Sequence, residues 1–392
     1  MIVWIQNPFD NLPCEGYRKQ RYWMMSEAFV AAGHRVVLWT SDFSHATKKK
    51  RAVGGEKLTA AGGGAFEVRL IPTLPYSRNV CWTRVRSHRA YAQGWERLAA
   101  ESVRNGELQK PDVLIVSAPP VATGAAAIRL ARQFGARLVV DVQDAWPETF
   151  YRLLPRGLGW AGDLLFASMR RDMRRLYRAA DLVTGVCDRY EGLVRGYGAK
   201  RYFRAYLGIE GGRAADGRRE PEGNGPLRLA YVGNLGASYD LKTVVAGVRL
   251  LNAERGGGVT LDVAGFGGTV PKDAAVRFHG MLGQEDLREL LANCDVGVIP
   301  MKSDSFVGIP NKLCEYAAAG LRVVSSLEGE TAALIERYGC GATYRWGDAA
   351  SLAAAVRRAV AASSSQSMCA REFDARKIYS DYVTAVLGGG VA

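Results

Sequence analysis

Ser305-Phe306-Val307-Gly308-Ile309-Pro310-Asn311-Lys312-Leu313-Cys314-Glu315-Tyr316-Ala317-Ala318-Ala319-Gly320 lies between two apolar runs, Val296 to Pro300 and Leu321 to Ser325. Runs of that length and composition are buried strands, so the stretch between them reads as a loop followed by a helix. Gly308 allows the loop an unusual backbone, Pro310 suits the first turn, and Gly320 ends the helix. The first N–H groups of such a helix lack intrahelical partners and its dipole turns its positive end to the loop, so a phosphate or polar hydroxyls dock there. Lys312 and Glu315 share one face. There Lys312 meets a diphosphate while Glu315, an ionised acceptor of fixed direction, receives hydrogen bonds from ribose hydroxyls. The alternative is a solvated ion pair worth about 0.3 kcal/mol.

Working outward, strands and helices alternate along the whole chain in the manner of open parallel sheets. The first series of expected strands is Ile2–Gln6, Val36–Thr40, Phe66–Ile71, Val113–Ser117, Leu138–Val142 and Leu182–Val186. The second is Leu227–Val232, Thr260–Ala264, Val276–His279, Val296–Ile299 and Leu321–Ser325. At 392 residues the chain exceeds the roughly 250 to 300 at which one core stops growing. The Gly-, Arg- and Glu-rich segment 209–226 reads as the linker between two Rossmann-like doubly wound domains, 1–208 and 227–370. Residues 371–392 include an amphipathic helix over Phe373 to Tyr382.

Charge separates the halves. The formal net charge is +13, and residues 1–208 carry 32 Lys and Arg against 18 Asp and Glu, so the first half holds all of the excess. A domain of that sign suits an acidic partner. One basic cluster, Lys48 to Arg51, falls in a loop; the other, Arg170 to Arg178, follows Trp160 to Phe166, so apolar and basic patches share a helical region that fits an anionic membrane surface. A helix packed on its domain with solvated arginines fits the same residues. Nucleic acid is not expected, since no recognition motif accompanies the charge.

Several classes are excluded. No apolar run approaches the ~20 residues that span a bilayer, and Met1 to Gln6 begins as a strand without a basic leader, so the expected location is the cytosol or the inner face of the plasma membrane. The seven cysteines have no C-x-x-C spacing and read as packing thiols. The four histidines form no hydrolase constellation. Val270 stands where a dinucleotide fingerprint after Gly265 needs glycine, which disfavours NAD. Asp304 lacks an Asp-x-Asp partner, so no metal and no other cofactor is expected.

Pro310-Asn311-Lys312-Leu313-Cys314-Glu315-Tyr316, followed by Ala319-Gly320 and a Val-Val strand, resembles the donor-site helix of GT4-type glycosyltransferases, retaining enzymes of GT-B architecture. That resemblance implies two Rossmann-like domains facing across a cleft, with the C-terminal helix crossing back to the first. The family often carries a second glutamate eight positions before Glu315, where this chain has Val307. Sugar contacts then pass to the backbone amides of Phe306, Val307, Gly308 and Ile309, beside Pro310 and Asn311, and Glu315 holds the ribose. Tyr231 to Leu241 resembles the family's phosphate loop, but Asn234 and Tyr239 stand where relatives place arginine and lysine. The resemblance therefore gives the diphosphate to Lys312 and to the amides of Gly236 and Ser238, with Lys242 a weaker candidate. Met281 and Leu282 fall in the region that lines the nucleobase pocket.

Asn7 to Arg18 resembles the family's glycine-containing loop, which sets Gly16 near the diphosphate. Trp39 to His45 and Asp141 to Glu148 resemble a bacterial surface-polysaccharide branch. Asp141 and Asp144, at the carboxyl end of a strand, are candidates to orient an acceptor hydroxyl; equally, Asp144 caps a turn and Asp141 pairs with an arginine. The implied activity is metal-independent transfer of a sugar from a nucleotide donor, UDP-linked, to a lipid-linked or glycan acceptor. A GT-B nucleotide-sugar epimerase and a non-catalytic nucleotide-sugar or polyanion-binding subunit are the alternatives.

Overall fold

The computed structural model describes residues 1–51, 57–59, 66–79, 81–151, 154–155, 157, 159–210, 225–236, 238–302, 307–362 and 366–388. The chain divides into two compact units, Met1–Ala205 with Tyr379–Ala392, and Tyr206–Ile378. Most of the expected linker, and Phe306 of the decisive loop, lie outside the described residues.

The strands of the first unit are β1 (Ile2–Gln6), β2 (Arg35–Ser41), β3 (Phe43–Ser44), β4 (Lys49–Lys50), β5 (Lys57–Thr59), β6 (Glu67–Ile71), β7 (Val113–Ala118), β8 (Arg137–Val142), β9 (Leu182–Gly185) and β10 (Tyr202–Arg204). Eight form one sheet in the order β10-β9-β8-β7-β1-β2-β6-β5, parallel except at the β5–β6 edge, and β3 pairs with β4 as a separate antiparallel ribbon. Central strands buried on both faces need unbroken apolar runs, and Val113 to Val116 and Val3 to Ile5 supply them. Trp4 fills the core between the rings of Trp39 and Phe134, at 5.3 and 5.5 Å.

The second unit has β11 (Leu227–Asn234), β12 (Val259–Phe266), β13 (Val276–Gly280), β14 (Val296–Ile299), β15 (Arg322–Ser325) and β16 (Gly341–Thr343). They form one parallel sheet in the order β13-β12-β11-β14-β15-β16. Both units are thus doubly wound, with the first strand between the second and a later one: β1 between β2 and β7, β11 between β12 and β14. At those two places the winding reverses, and the loops leaving the carboxyl ends part to opposite faces.

Asp141 departs from its expected role at the acceptor. It is 0% exposed on β8, and its carboxylate takes a two-pronged bond from Arg21 (2.9 and 2.8 Å), the hydroxyl of Tyr22 (2.8 Å) and the hydroxyl of Thr184 on β9 (2.6 Å). Arg21 also donates to Ala205 O and lies 5.9 and 5.8 Å from the ring centres of Tyr379 and Tyr382 on the C-terminal helix Ala375–Leu387. A buried ion must be compensated on every side, and this one is, which leaves it no reach to a substrate. The arginine pairing was one of the two readings open in the sequence.

The apolar stretch and the basic cluster that follows it fall on two helices rather than one. Ala167–Ala179 turns Met173, Leu176 and Tyr177 inward and leaves Arg171, Arg174, Arg175 and Arg178 exposed. Gly159–Leu165 instead leaves Trp160, Leu164 and Leu165 at 68%, 77% and 65% exposure. Among the described residues no helix is long and apolar enough to cross a membrane.

Asp141→Ala strands the Arg21 charge in the core and is expected to cost about 3–5 kcal/mol in thermal or denaturant unfolding. The paired change Arg21→Met with Asp141→Leu removes both ions and costs less than either single change.

Candidate functional site

Helix Asn311–Ala318 follows β14 and its loop, beside the point of reversal in the second unit. Pro310 is its N-cap in extended geometry, with no side chain capping the first turn, and Gly320 closes the far end at φ 70°. Tyr316 anchors it: the hydroxyl accepts from the Val232 N–H of β11 (2.9 Å), and the ring lies where any side chain at Gly297 of β14 would collide. Lys312, one turn earlier on the same face, is thereby directed along the carboxyl end of β11.

The lysine is 7% exposed, and its Nζ lies 2.8 Å from where a Cβ on Gly233 would stand. Gly265, the register partner of Gly233 on β12, is as constrained, for a Cβ there would fall 1.8 Å from Gly233 O. The two glycines let the strand ends and the ammonium come together. Nζ rests over the rings of Tyr239 (4.2 Å) and Tyr231 (5.1 Å), and among the described residues it forms no ion pair. Burial lowers its pKa from the ordinary 10.5 to about 8, with Glu315 acting in the opposite direction. Tyr239 stands where the family pattern expects a cation, and the charge is delivered to its ring face from position 312 instead.

The remaining predicted residues are distributed as follows. Glu315 is half-buried one turn from Asn311, which is exposed. Ile309 is buried, Val307 is half-buried, and the carbonyl of Gly308 accepts from the Thr331 hydroxyl (2.6 Å), which fixes the loop before the helix. The expectation for Gly236 needs correction, because its N–H donates to Asn234 Oδ1 (2.6 Å) and so closes the loop on itself. Ser238 is half-buried, with its carbonyl taking the Lys302 N–H (3.1 Å), and Lys242 is exposed on helix Leu241–Arg255. Met281 is exposed and Leu282 half-buried after β13, whose His279 pairs with the buried Asp262 (2.8 Å).

In the first unit Gly16 adopts φ 80° at the end of a 3-10 turn and is open to solvent. Asp144 binds the Trp146 indole N–H (2.8 Å) and the Thr149 hydroxyl (2.9 Å), so it organises the turn after β8. Sequence reasoning missed the tyrosine pair under Lys312. It also missed a group of aromatic and cationic side chains at the carboxyl ends of the first sheet: Phe9, His45, Lys48, Tyr76, Arg84, His88 and Trp146. These come from five separate segments, and no local pattern links them.

The chain matches two family models, described as "Glycosyl transferase 4-like domain" over residues 19–206 and "Glycosyl transferases group 1" over residues 226–362. No curated protein matches it. Similar solved structures include a sucrose-phosphate synthase from Thermosynechococcus elongatus (14% identity, 98% of each chain, TM-score 0.68). The Anabaena protein HepE in complex with UDP-glucose is another (13% identity, 99% of each chain, TM-score 0.63). A third is WaaG, a glycosyltransferase involved in lipopolysaccharide biosynthesis (15% identity, 99% of this chain and 100% of the other, TM-score 0.58). At these identities the likeness shows the fold.

The lowered Lys312 pKa carries a sign that can be tested. Since the folded value lies below the unfolded one, the charged lysine costs stability below about pH 8, and that cost is relieved as pH rises towards 10.5. A bound diphosphate needs the charge, so affinity for a nucleoside diphosphate is expected to fall as pH rises through about 8. Calorimetric titration from pH 6.5 to 9.5 checks this, and Lys312→Gln should give a weak, flat profile.

Proposed function

The chain belongs to the GT4-type glycosyltransferases of GT-B fold, and from that premise we propose that it transfers a sugar with retention from a UDP-linked donor to a lipid-linked or glycan acceptor in bacterial polysaccharide assembly. The observation that carries this reading is Lys312, a nearly buried cation that forms no ion pair among the described residues, at a helix N-terminus without a side-chain cap and beside the point of sheet reversal. Such a cation suits a departing diphosphate. As the bond from the anomeric carbon to the phosphate oxygen breaks, negative charge grows on the leaving group, and Lys312 with the first amides of the helix stabilises it. The acceptor hydroxyl attacks the anomeric carbon from the same face, and its proton passes to the leaving phosphate oxygen. Lys312 and Glu315 are the catalytic and ribose-holding residues of this scheme, and no divalent cation is required.

The apolar chemistry of a lipid-linked acceptor agrees with the surface of the first unit. Trp160, Leu164 and Leu165 project beside the arginines of Ala167–Ala179, the composition of an interfacial anchor on an anionic bilayer. That composition supports a proposed site of action in the cytoplasm, peripheral to the inner face of the plasma membrane.

Thermal melting against UDP, GDP, dTDP and CDP tests the donor, since a ligand of the folded state raises Tm. UDP is expected to give the selective rise, and Glu315→Ala to weaken UDP binding roughly 10-fold while leaving the unliganded Tm unchanged. Absence of a rise with every nucleotide would overturn the donor assignment. In sedimentation with phosphatidylglycerol vesicles the wild type is expected to pellet, and Trp160→Ser with Leu164→Ser to remain in the supernatant.

A further inference from the structure

The first unit holds a second group of cations that form no ion pair among the described residues. Lys48 and Arg84 approach the ring of Tyr76 at 5.0 and 5.9 Å, and Arg84 also lies 5.6 Å from the Phe9 ring centre and 5.3 Å from that of Trp146. Their hydrogen bonds go to neutral groups, and the Asp144 carboxylate acts on Arg84 electrostatically without pairing with it. Lys48 Nζ donates to His45 O (2.6 Å) and Asn79 Oδ1 (2.7 Å), and Arg84 donates to Asn79 O (2.6 Å) and His88 Nε2 (3.3 Å). Neither makes an ion pair among the described residues, although Lys50 and Arg51 of the same segment are paired with Asp42 and Glu15. Lys48 is the one non-glycine residue with positive φ (59°) among the described residues, a conformation that costs about 1 kcal/mol or more and persists where surroundings enforce it.

The histidines add no negative charge. Burial, together with Lys48 and Arg84, lowers His45 to about 4, and burial with Arg84 lowers His88 to about 3, so both are neutral at pH 7. All seven side chains stand on segments that leave the carboxyl ends of β1, β2, β6 and β8 or begin the helix Trp82–Arg104. Two half-buried cations walled by aromatic rings repel each other and lose hydration, and a bound anion reverses both costs.

We propose that Lys48 and Arg84, within the Phe9, Tyr76 and Trp146 rings, form a binding site for a phosphate or diphosphate group whose organic substituent lies against those rings. A planar guanidinium beside a compact ammonium matches phosphate oxygens, by two-pronged and point-charge contact respectively. That this ligand is the acceptor rests on the glycosyltransferase reading; that the site binds phosphate does not. The acceptor then carries its own phosphate, as a polyprenyl diphosphate or a phosphorylated sugar does.

Calorimetric titration of the full chain bearing Lys312→Gln, which disables the donor-side cation, isolates this site. Inorganic pyrophosphate, farnesyl diphosphate and glucose 1-phosphate are the probes. At least one is expected to bind, with Arg84→Gln and Lys48→Gln each weakening it roughly 10-fold or more and Arg84→Lys restoring part of the loss. Tighter binding of farnesyl diphosphate than of pyrophosphate assigns a lipid source, and tighter binding of glucose 1-phosphate a phosphosugar. If none of the three binds, or if the double variant Lys48→Gln with Arg84→Gln binds as tightly as its parent, the proposal is overturned. Circular dichroism melting identifies any variant that does not fold; Lys48→Gln, on a surface turn, carries the test if Arg84→Gln fails. Failure of the donor reading shows separately, as equal UDP affinity with Lys312 and with Lys312→Gln.

Discussion

A parallel sheet wound in both directions from a central strand cannot cover the carboxyl ends of its strands where the winding reverses. Both units obey this constraint, one at β1 and β7, the other at β11 and β14. The adjoining loops diverge there, and whatever side chains they carry converge on open backbone. The helix after β14 brings Lys312 to such a place in the second unit; in the first, Lys48 and Arg84 stand on segments beyond β3 and β6.

Buried charge sorts itself by compensation. Asp141 is met by Arg21, Tyr22 and Thr184, and Asp262 by Arg228 and His279, so those carboxylates fix strands and helices to one another. Lys312 forms no ion pair among the described residues: ring faces meet it with an attraction of about 1–2 kcal/mol, and Glu315 acts on it electrostatically without offsetting its burial. A protein interior tolerates the first arrangement as architecture. The second leaves part of the desolvation cost of the cation unrelieved, a cost that a bound anion would offset.

Much of the fold was legible in the residues. Val113 to Ser117 and Val296 to Ile299 are apolar without alternation, which only a strand buried on both faces explains, and their observed bounds differ by one residue at most. The short edge strands β10 and β16 were not legible: Tyr202–Arg204 and Gly341–Thr343 are too brief and mixed in character for a period to show. The helix from Asn311 was readable because Pro310 and Gly320 punctuate it. The residues left Asp141 open between a ligand and an arginine, since a carboxylate at a strand's end looks alike whether it faces one or the other.

The sequence by itself therefore determined the alternation of strands and helices, the two sheets, the membership of the family and the lysine–glutamate face of one helix, because each is written in neighbouring residues or in a short period. Only the tertiary structure decided which ions are spent inside the core, that Tyr231, Tyr239, Gly233 and Tyr316 together place Lys312, and that Phe9, Lys48, Tyr76, Arg84 and Trp146 meet. Those contacts join residues far apart in the chain, and the burial that gives a charge its meaning exists only once the strands between them have packed.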